Sequence, residues 1–154
     1  MRFFKQIILA GTISGTLDIL AACIQYFINT GKNPQVVFKF IASGIFGLPA
    51  FTGGNKMIWF GLLFHFLIIF IFALFFYIIY PLLFDLIKNK IASGILYGIF
   101  VWLIMHFLVV PNSKTPQLPS DLKSSIIAVG ILIVCVGIPF SFMISPYRKK
   151  KILR

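Results

Sequence analysis

The sequence predicts an all-α polytopic membrane protein with four transmembrane helices and one short amphipathic helix. The chain of 154 residues is 60% hydrophobic and only 11% charged, which is too little charge to cover a soluble domain of this size. Its mean hydropathy is +1.02. Four apolar runs each reach the roughly 20 residues that a spanning helix needs. We expect one domain over 1–154, with spans at about 6–29, 57–80, 91–110 and 124–145.

The first span is marked by an acidic residue, Asp18, near the middle of its apolar run. The chain has only three acidic residues, and a carboxylate in hydrocarbon costs about 2.5–3.5 kcal/mol on insertion scales. Asp18 belongs to a stripe of small and polar residues at helical spacing: Gly11, Gly15, Asp18, Ala22, Gln25 and Asn29. Because such a stripe is one face of a helix, we expect this face to point into the bundle.

The segment 20–23, Leu-Ala-Ala-Cys, resembles a bacterial lipoprotein cleavage box behind a basic start. Asp18 would put a charge into the region that a signal peptide keeps apolar. The chain after Cys23 also stays membrane-like, so we expect an uncleaved first span. Neither Cys23 nor Cys135 has a second cysteine at metal-ligand spacing, and both are predicted to be small buried side chains.

A short helix is predicted over 34–47, with Asn33 as its N-cap and Pro34 at the first helical position. One face of the segment is apolar. The other face is polar and carries Gln35, Lys39 and Ser43. The segment is too short to span, so it is either an interfacial helix or a shallow re-entrant one. Pro49 and the run 52–55 are expected to form a flexible connector.

Prolines mark the later spans. Pro81 is predicted to end the second span and Pro111 the third. Pro139 lies inside the fourth span and should kink it, because proline removes a backbone donor.

The net charge of +11 raises the question of nucleic acid, but the basic residues lie at span ends and form no aromatic-interleaved basic face. We therefore expect no nucleic-acid partner. With the N-terminus inside, nine basic residues fall inside: Arg2, Lys5, Lys88, Lys90, Arg148, Lys149, Lys150, Lys151 and Arg154. Five fall outside: Lys32, Lys39, Lys56, Lys114 and Lys123. This asymmetry predicts that both termini are cytoplasmic.

The C-terminal tail, 146–154, contains five basic residues that could contact anionic lipid: Arg148, Lys149, Lys150, Lys151 and Arg154. Each basic residue near an anionic surface contributes roughly 1 kcal/mol. The alternative is that the tail only anchors the topology.

Two glycine motifs, Gly11-x-x-x-Gly15 and Gly94-x-x-x-Gly98, predict close helix packing, because small residues let helix backbones approach in a membrane. The contacts could be within one chain or between the chains of a homo-oligomer.

The two histidines, His65 and His106, both fall within spans. At 1.5 Å per residue, Asp18 lies roughly 15 Å, His65 about 12 Å and His106 about 6 Å from the outer ends of their helices. We therefore expect two polar layers, Asp18 with His65 and Gln25 with His106. These could form a proton relay or a substrate counter-ion. Alternatively they are structural polar contacts, with Asp18 bonded to Ser14.

No enzyme motif is recognised, and the chain contains no Glu, so paired-carboxylate chemistry has few candidates. We predict no catalytic residue, no metal and no cofactor. The expected function is that of a non-enzymatic integral membrane protein with lipid or protein partners. The alternative is an oligomeric, proton-coupled small-solute transporter or channel subunit with Asp18 as its coupling residue. A lipid-modifying enzyme would need a polar cluster at headgroup depth, which His106 alone does not supply.

The chain resembles the small bacterial inner-membrane proteins of the YagU-like group. The shared residues are Gly11, Gly15, His65, Phe66, Gly98, Trp102, His106, Pro111, Pro116 and Pro119. The resemblance implies a multi-span bundle in the bacterial inner membrane, and it provides no activity to carry over to this chain.

Overall fold

The computed structural model describes residues 2–116 and 122–144, and within them every regular element is a helix. The α-helices are α1 (Arg2–Thr30), α2 (Gln35–Phe46), α3 (Pro49–Thr52), α4 (Asn55–Ile87), α5 (Lys90–Ile104) and α6 (Leu122–Leu132). π-helical turns extend α5 over Met105–Val109 and α6 over Ile133–Gly137. Four stretches are long and apolar enough to cross a membrane: Phe4–Thr30, Asn55–Ile87, Lys90–Val109 and Leu122–Ile144. They are the first to fourth spans, and the predicted all-α polytopic fold is confirmed.

The bundle has two distinct ends. At one end, the Ser141 hydroxyl of the fourth span donates to the Lys90 carbonyl at the start of α5, at 2.6 Å. We refer to this as the terminal end, since α1 also starts there. At the other end, the Lys114 amide donates to the Gly44 carbonyl of α2, at 2.9 Å. We refer to it as the hairpin end, because α2 and α3 connect the first two spans there.

The terminal half contains the buried core. Tyr97 lies near its centre, 2% exposed, and its hydroxyl donates to the Phe72 carbonyl at 2.7 Å. The Tyr97 ring is 4.6 Å from the Phe76 ring, centroid to centroid, and 6.2 Å from that of Phe140. Side chains from all four spans, Ile7 of α1 included, join this cluster. Tyrosine is suited to such a core because its hydroxyl can find a backbone acceptor.

The third and fourth spans touch backbone to backbone through glycines. A Cβ atom on Gly137 would overlap the carbonyl oxygen of Gly94, and one on Gly98 would lie 2.6 Å from the Cα of Ile133. Both fourth-span residues belong to its π-helical turn. The predicted small-residue motif at Gly94 and Gly98 therefore faces this turn, within one chain.

At the hairpin end, α2 packs across the first turns of α4. A Cβ atom on Gly61 would overlap the Phe38 carbonyl, so the two helices are in backbone contact there. The Phe46 ring lies 5.2 Å from Phe60 and 6.1 Å from Phe64, centroid to centroid. The Lys39 ammonium donates to the Phe51 carbonyl of α3 at 3.2 Å, which ties α3 back onto α2.

The second span does not end at Pro81 as predicted. Instead, α4 continues through Pro81 to Ile87, and Lys88 in the left-handed region (φ 53°) terminates it. Proline removes one helical donor, and transmembrane helices tolerate this because neighbouring groups satisfy the freed acceptor.

The fourth span has a different irregularity from the predicted proline kink. A π-helical turn, Ile133–Gly137, lies just before Pro139. A proline ring collides with the carbonyl four residues earlier, here that of Cys135. The wider π turn contains that residue and relieves the crowding.

The three residues of the predicted polar face of α2 differ in burial: Gln35 is exposed, Lys39 is half-buried and Ser43 is buried. On the apolar face, Ile45 is 54% exposed. The predicted capping role of Asn33 is confirmed, because its side-chain oxygen accepts from the Gln35 amide at 2.9 Å. The expected flexible connector contains the short helix α3, Pro49–Thr52.

Candidate functional site

The Asp18 carboxyl group is half-buried on α1, which packs against both α4 and the π-helical turn of the fourth span. The thiol of Cys135, in that turn, is within electrostatic range of the carboxyl group. No hydrogen bond or ion pair to Asp18 occurs among the described side chains. The structure thus places a carboxyl group inside a bundle with no counter-charge in the described part of the chain.

His65 is buried, at 8% exposed, and faces α1. Its Nε2–H donates to the Gly15 carbonyl at 2.8 Å, and its ring meets the edge of Phe66 at 5.4 Å. Gly15 precedes Asp18 by three residues, about 4.5 Å along a helix. The structure therefore brings His65 close to the level of Asp18, but its hydrogen bond goes to the backbone.

The structure does not join Gln25 and His106 into a second polar layer. The His106 ring stacks on Trp102 of its own span, with centroids 4.8 Å apart and planes 9° apart. It also meets the Phe107 ring edge-on at 4.8 Å. Gln25 is half-buried on α1, which packs mainly on α2, α4 and the fourth span.

The alternative in which Asp18 bonds to Ser14 is wrong. Ser14 is completely buried, and its hydroxyl oxygen has no hydrogen-bond partner among the described residues. The same holds for the side-chain carbonyl oxygen of Gln6. Gln6 was not singled out from the sequence, and it lies about 80° around the helix from Ser14 and about 120° from Asp18.

Gly11 and Gly15 pack against aromatic rings of α4. A Cβ atom on Gly11 would overlap the Phe70 ring, and one on Gly15 would lie 2.8 Å from the Phe66 ring. All four glycines of the two predicted motifs thus lie in helix contacts within the chain. Here the neighbours are side chains, whereas Gly94 and Gly98 meet backbone.

Three cavities formed by described residues lie in the middle and at the hairpin end of the bundle. One of 340 Å³ lies between α4 and the third span, beside Phe72 and Phe100. One of 240 Å³ lies between α2, α4 and the third span. The third, of 440 Å³, lies between α1, α2 and α3. Sequence reasoning missed all three, because each is formed by segments that are far apart along the chain.

The described residues contain no group of three or more His, Cys, Asp or Glu side chains that could hold a metal ion. The thiols of Cys23 and Cys135 are free. The basic tail predicted to contact lipid, with Arg148, Lys149, Lys150, Lys151 and Arg154, lies outside the described residues.

Comparisons with protein-family models, with curated proteins and with solved structures found no match to this chain. Function is therefore inferred from the chain's own residues: the unpaired Asp18 carboxyl group, the buried His65 and the three cavities.

Proposed function

We propose that this chain is a non-enzymatic integral membrane protein that acts through contacts with membrane lipids or with partner proteins. The observation that carries this proposal is the chemistry of the cavities. Each is walled mainly by aliphatic and aromatic side chains and is open to the bundle surface; the cavity of 240 Å³ also has Ser113 and Thr115 in its wall. Such walls fit acyl chains or the apolar side chains of a partner, whereas a polar solute needs convergent polar groups.

The ionisable residues of the spans support the same proposal. The ring of His65 is engaged by the Gly15 carbonyl, and His106 is stacked on Trp102. Neither forms a hydrogen bond or ion pair with Asp18 in the described part of the chain. A proton or substrate path through one chain would need these groups to be linked or to share a wet cavity, and a hydrolytic or transfer reaction would need them to converge on one point.

We place the protein in the bacterial inner membrane, with the terminal end cytoplasmic. Basic residues are more numerous on that side, which favours this orientation. The resemblance to the YagU-like group supports the same location. A homo-oligomer fits the large apolar surface that the four spans present, because only 22% to 33% of the residues in the most apolar part of each span are buried inside the chain.

Native mass spectrometry of the protein, extracted in a mild detergent, tests the proposal. We expect the chain to retain lipid, a second copy or a partner after exchange into fresh detergent. A bare monomer that releases all lipid as fast as a simple hydrophobic helix peptide would contradict it.

A second candidate function is a proton-coupled transporter or channel subunit with Asp18 as its coupling residue. Two observations favour it: the Asp18 carboxyl group lacks a counter-charge in the described part of the chain, and it lies beside a π-helical turn. Such turns are frequent at functional sites. Four spans enclose little space, so this function would need an oligomer. The two candidates differ in whether the protein moves protons across a membrane.

A further inference from the structure

The largest of the three cavities, 440 Å³, opens at the hairpin end and has one charged residue at its edge. Its walls are Tyr26, Val36, Val37, Phe40, Phe51 and Pro116. The volume is within the range of about 300–1,000 Å³ that ligand pockets occupy. We refer to this cavity and its charged edge as the hairpin pocket.

The charged residue at the edge is Lys39. It precedes the wall residue Phe40 on α2, is half-buried, and is not itself a wall residue. Its ammonium group donates to the carbonyl of Phe51, another wall residue, at 3.2 Å. This hydrogen bond holds the charge beside the cavity. A lysine on a free surface would instead extend into water.

Most of the hydrogen-bonding capacity of the Lys39 ammonium group is left over. The group has three donors, and Phe51 takes one of them. That single bond is explained by the tendency of lysine side chains to cap the last carbonyls of a helix, here those of α3. No carboxylate pairs with Lys39 among the described residues. Because the ammonium group is partly withdrawn from water, an anion bound at this point would stabilise its charge.

Among the described residues, the charged side chains around the pocket have one sign. Lys32, Lys56 and Lys114 lie at the same end of the bundle and are exposed. Among described residues the acidic side chains lie elsewhere: Asp18 is in the middle of the first span, and Asp85 is near the end of α4 at the terminal end. A surface of one sign attracts the opposite charge.

We propose that the hairpin pocket binds an anionic phospholipid, with one acyl chain in the cavity and the phosphate at Lys39. This inference rests on the proposed function and names the lipid class. The apolar walls exclude a free polar anion, and the unpaired ammonium group selects an anionic headgroup over a zwitterionic one. Lys56 offers the same charge at the same end but forms no hydrogen bond to a wall residue of the cavity, so it makes a matched control.

The test is native mass spectrometry of the full chain in detergent micelles doped with phosphatidylglycerol or with phosphatidylcholine of identical acyl chains. Wild type should retain phosphatidylglycerol in preference to phosphatidylcholine. Lys39→Gln should weaken phosphatidylglycerol binding about fivefold, the equivalent of the roughly 1 kcal/mol that one basic residue contributes near a lipid surface. Lys39→Arg should preserve most of the preference, and Lys56→Gln should leave it unchanged.

Val36→Trp tests the cavity separately from the charge. An indole ring in place of Val36 fills the acyl-chain site, so both phospholipids should bind less well. If Lys39→Gln does not fold, Val36→Trp alone tests the proposal. Reduced binding of both lipids by Val36→Trp supports the pocket, and unchanged binding overturns it.

Two results would overturn the proposal: equal retention of the two lipids by wild type, or equal binding by Lys39→Gln and Lys56→Gln. Wild type that still holds lipid without headgroup preference would leave the proposed function standing and remove the anionic site. Wild type that holds neither lipid nor a partner would remove both.

Discussion

The terminal and hairpin halves of this bundle are packed by different means. In the terminal half, side chains from four spans close around Tyr97, and the Gly137 and Gly94 backbones touch. In the hairpin half, α2 contacts the α4 backbone at Gly61, but phenylalanine rings around that point leave cavities of 240 and 440 Å³.

The difference reflects what drives helix association in a membrane. Lipid is as apolar as the side chains, so van der Waals contact and hydrogen bonds hold the spans together. Glycine maximises such contact, whereas bulky rings keep helices apart and leave space for other apolar groups. We infer that the terminal half supplies stability and that the hairpin half supplies binding.

The largest effect is expected at Gly137. In Gly137→Ala the added methyl group meets the Gly94 carbonyl and lies 2.9 Å from the Gly98 amide nitrogen. Both neighbours are backbone, so the third and fourth spans must separate. We expect the free energy of unfolding to fall by about 3 kcal/mol, the upper part of the usual range for overpacking, as measured by denaturation in mixed micelles.

Gly130→Ala is the matched control in the same span. A Cβ atom at Gly130 meets nothing within 4 Å. Because alanine has a higher helix propensity than glycine by about 1 kcal/mol, stability should be unchanged or slightly increased. Equal losses in Gly137→Ala and Gly130→Ala would contradict the packing difference.

A smaller loss is expected from Gly15→Ala. The added methyl group lies 2.8 Å from the Phe66 ring, and a ring can shift where a backbone cannot. We expect about 1 kcal/mol of destabilisation, and Phe66→Leu in the same chain should recover part of it by making room. A loss as large as that of Gly137→Ala would show that the contact between α1 and α4 is as rigid as the contact between the third and fourth spans.

The smallest expected change in stability comes from substituting the two histidines, and it should differ between them. His65→Leu removes the hydrogen bond to the Gly15 carbonyl, and such bonds between membrane helices average about 0.6 kcal/mol. His106→Leu removes only ring stacking on Trp102 and should cost less. The two variants are compared by the same denaturation assay. A larger loss for His106→Leu would reverse the assignment of His65 as the helix-bridging residue.

The four spans were predictable because length and hydropathy are read directly from the sequence. The glycine contacts were also predictable as contacts, since small residues on a helix face admit a neighbour. The identity of the neighbour that each glycine contacts was not predictable. Gly15 contacts an aromatic ring, whereas Gly94 contacts the backbone of a neighbouring helix. Only the arrangement of the spans determines which kind of neighbour each glycine has.

The candidate site was less predictable than the fold. Depth along the helix predicted His65 near the level of Asp18, and the structure joins it to the carbonyl of Gly15, three residues before Asp18. Side-chain chemistry alone could not show that a backbone carbonyl would accept this hydrogen bond. The burial of Ser43 depends on the packing of α2 against its neighbours, and the hairpin pocket depends on the position of α3. Both are tertiary effects.

Proton flux in liposomes tests most directly whether this protein acts through contacts or through transport. Wild type, Asp18→Asn and the exposed control Asp85→Asn would be reconstituted at equal density, and the interior pH followed after a pH step. Our account predicts that all three match protein-free liposomes. Flux in wild type that persists in Asp85→Asn and disappears in Asp18→Asn would contradict it and establish the transporter.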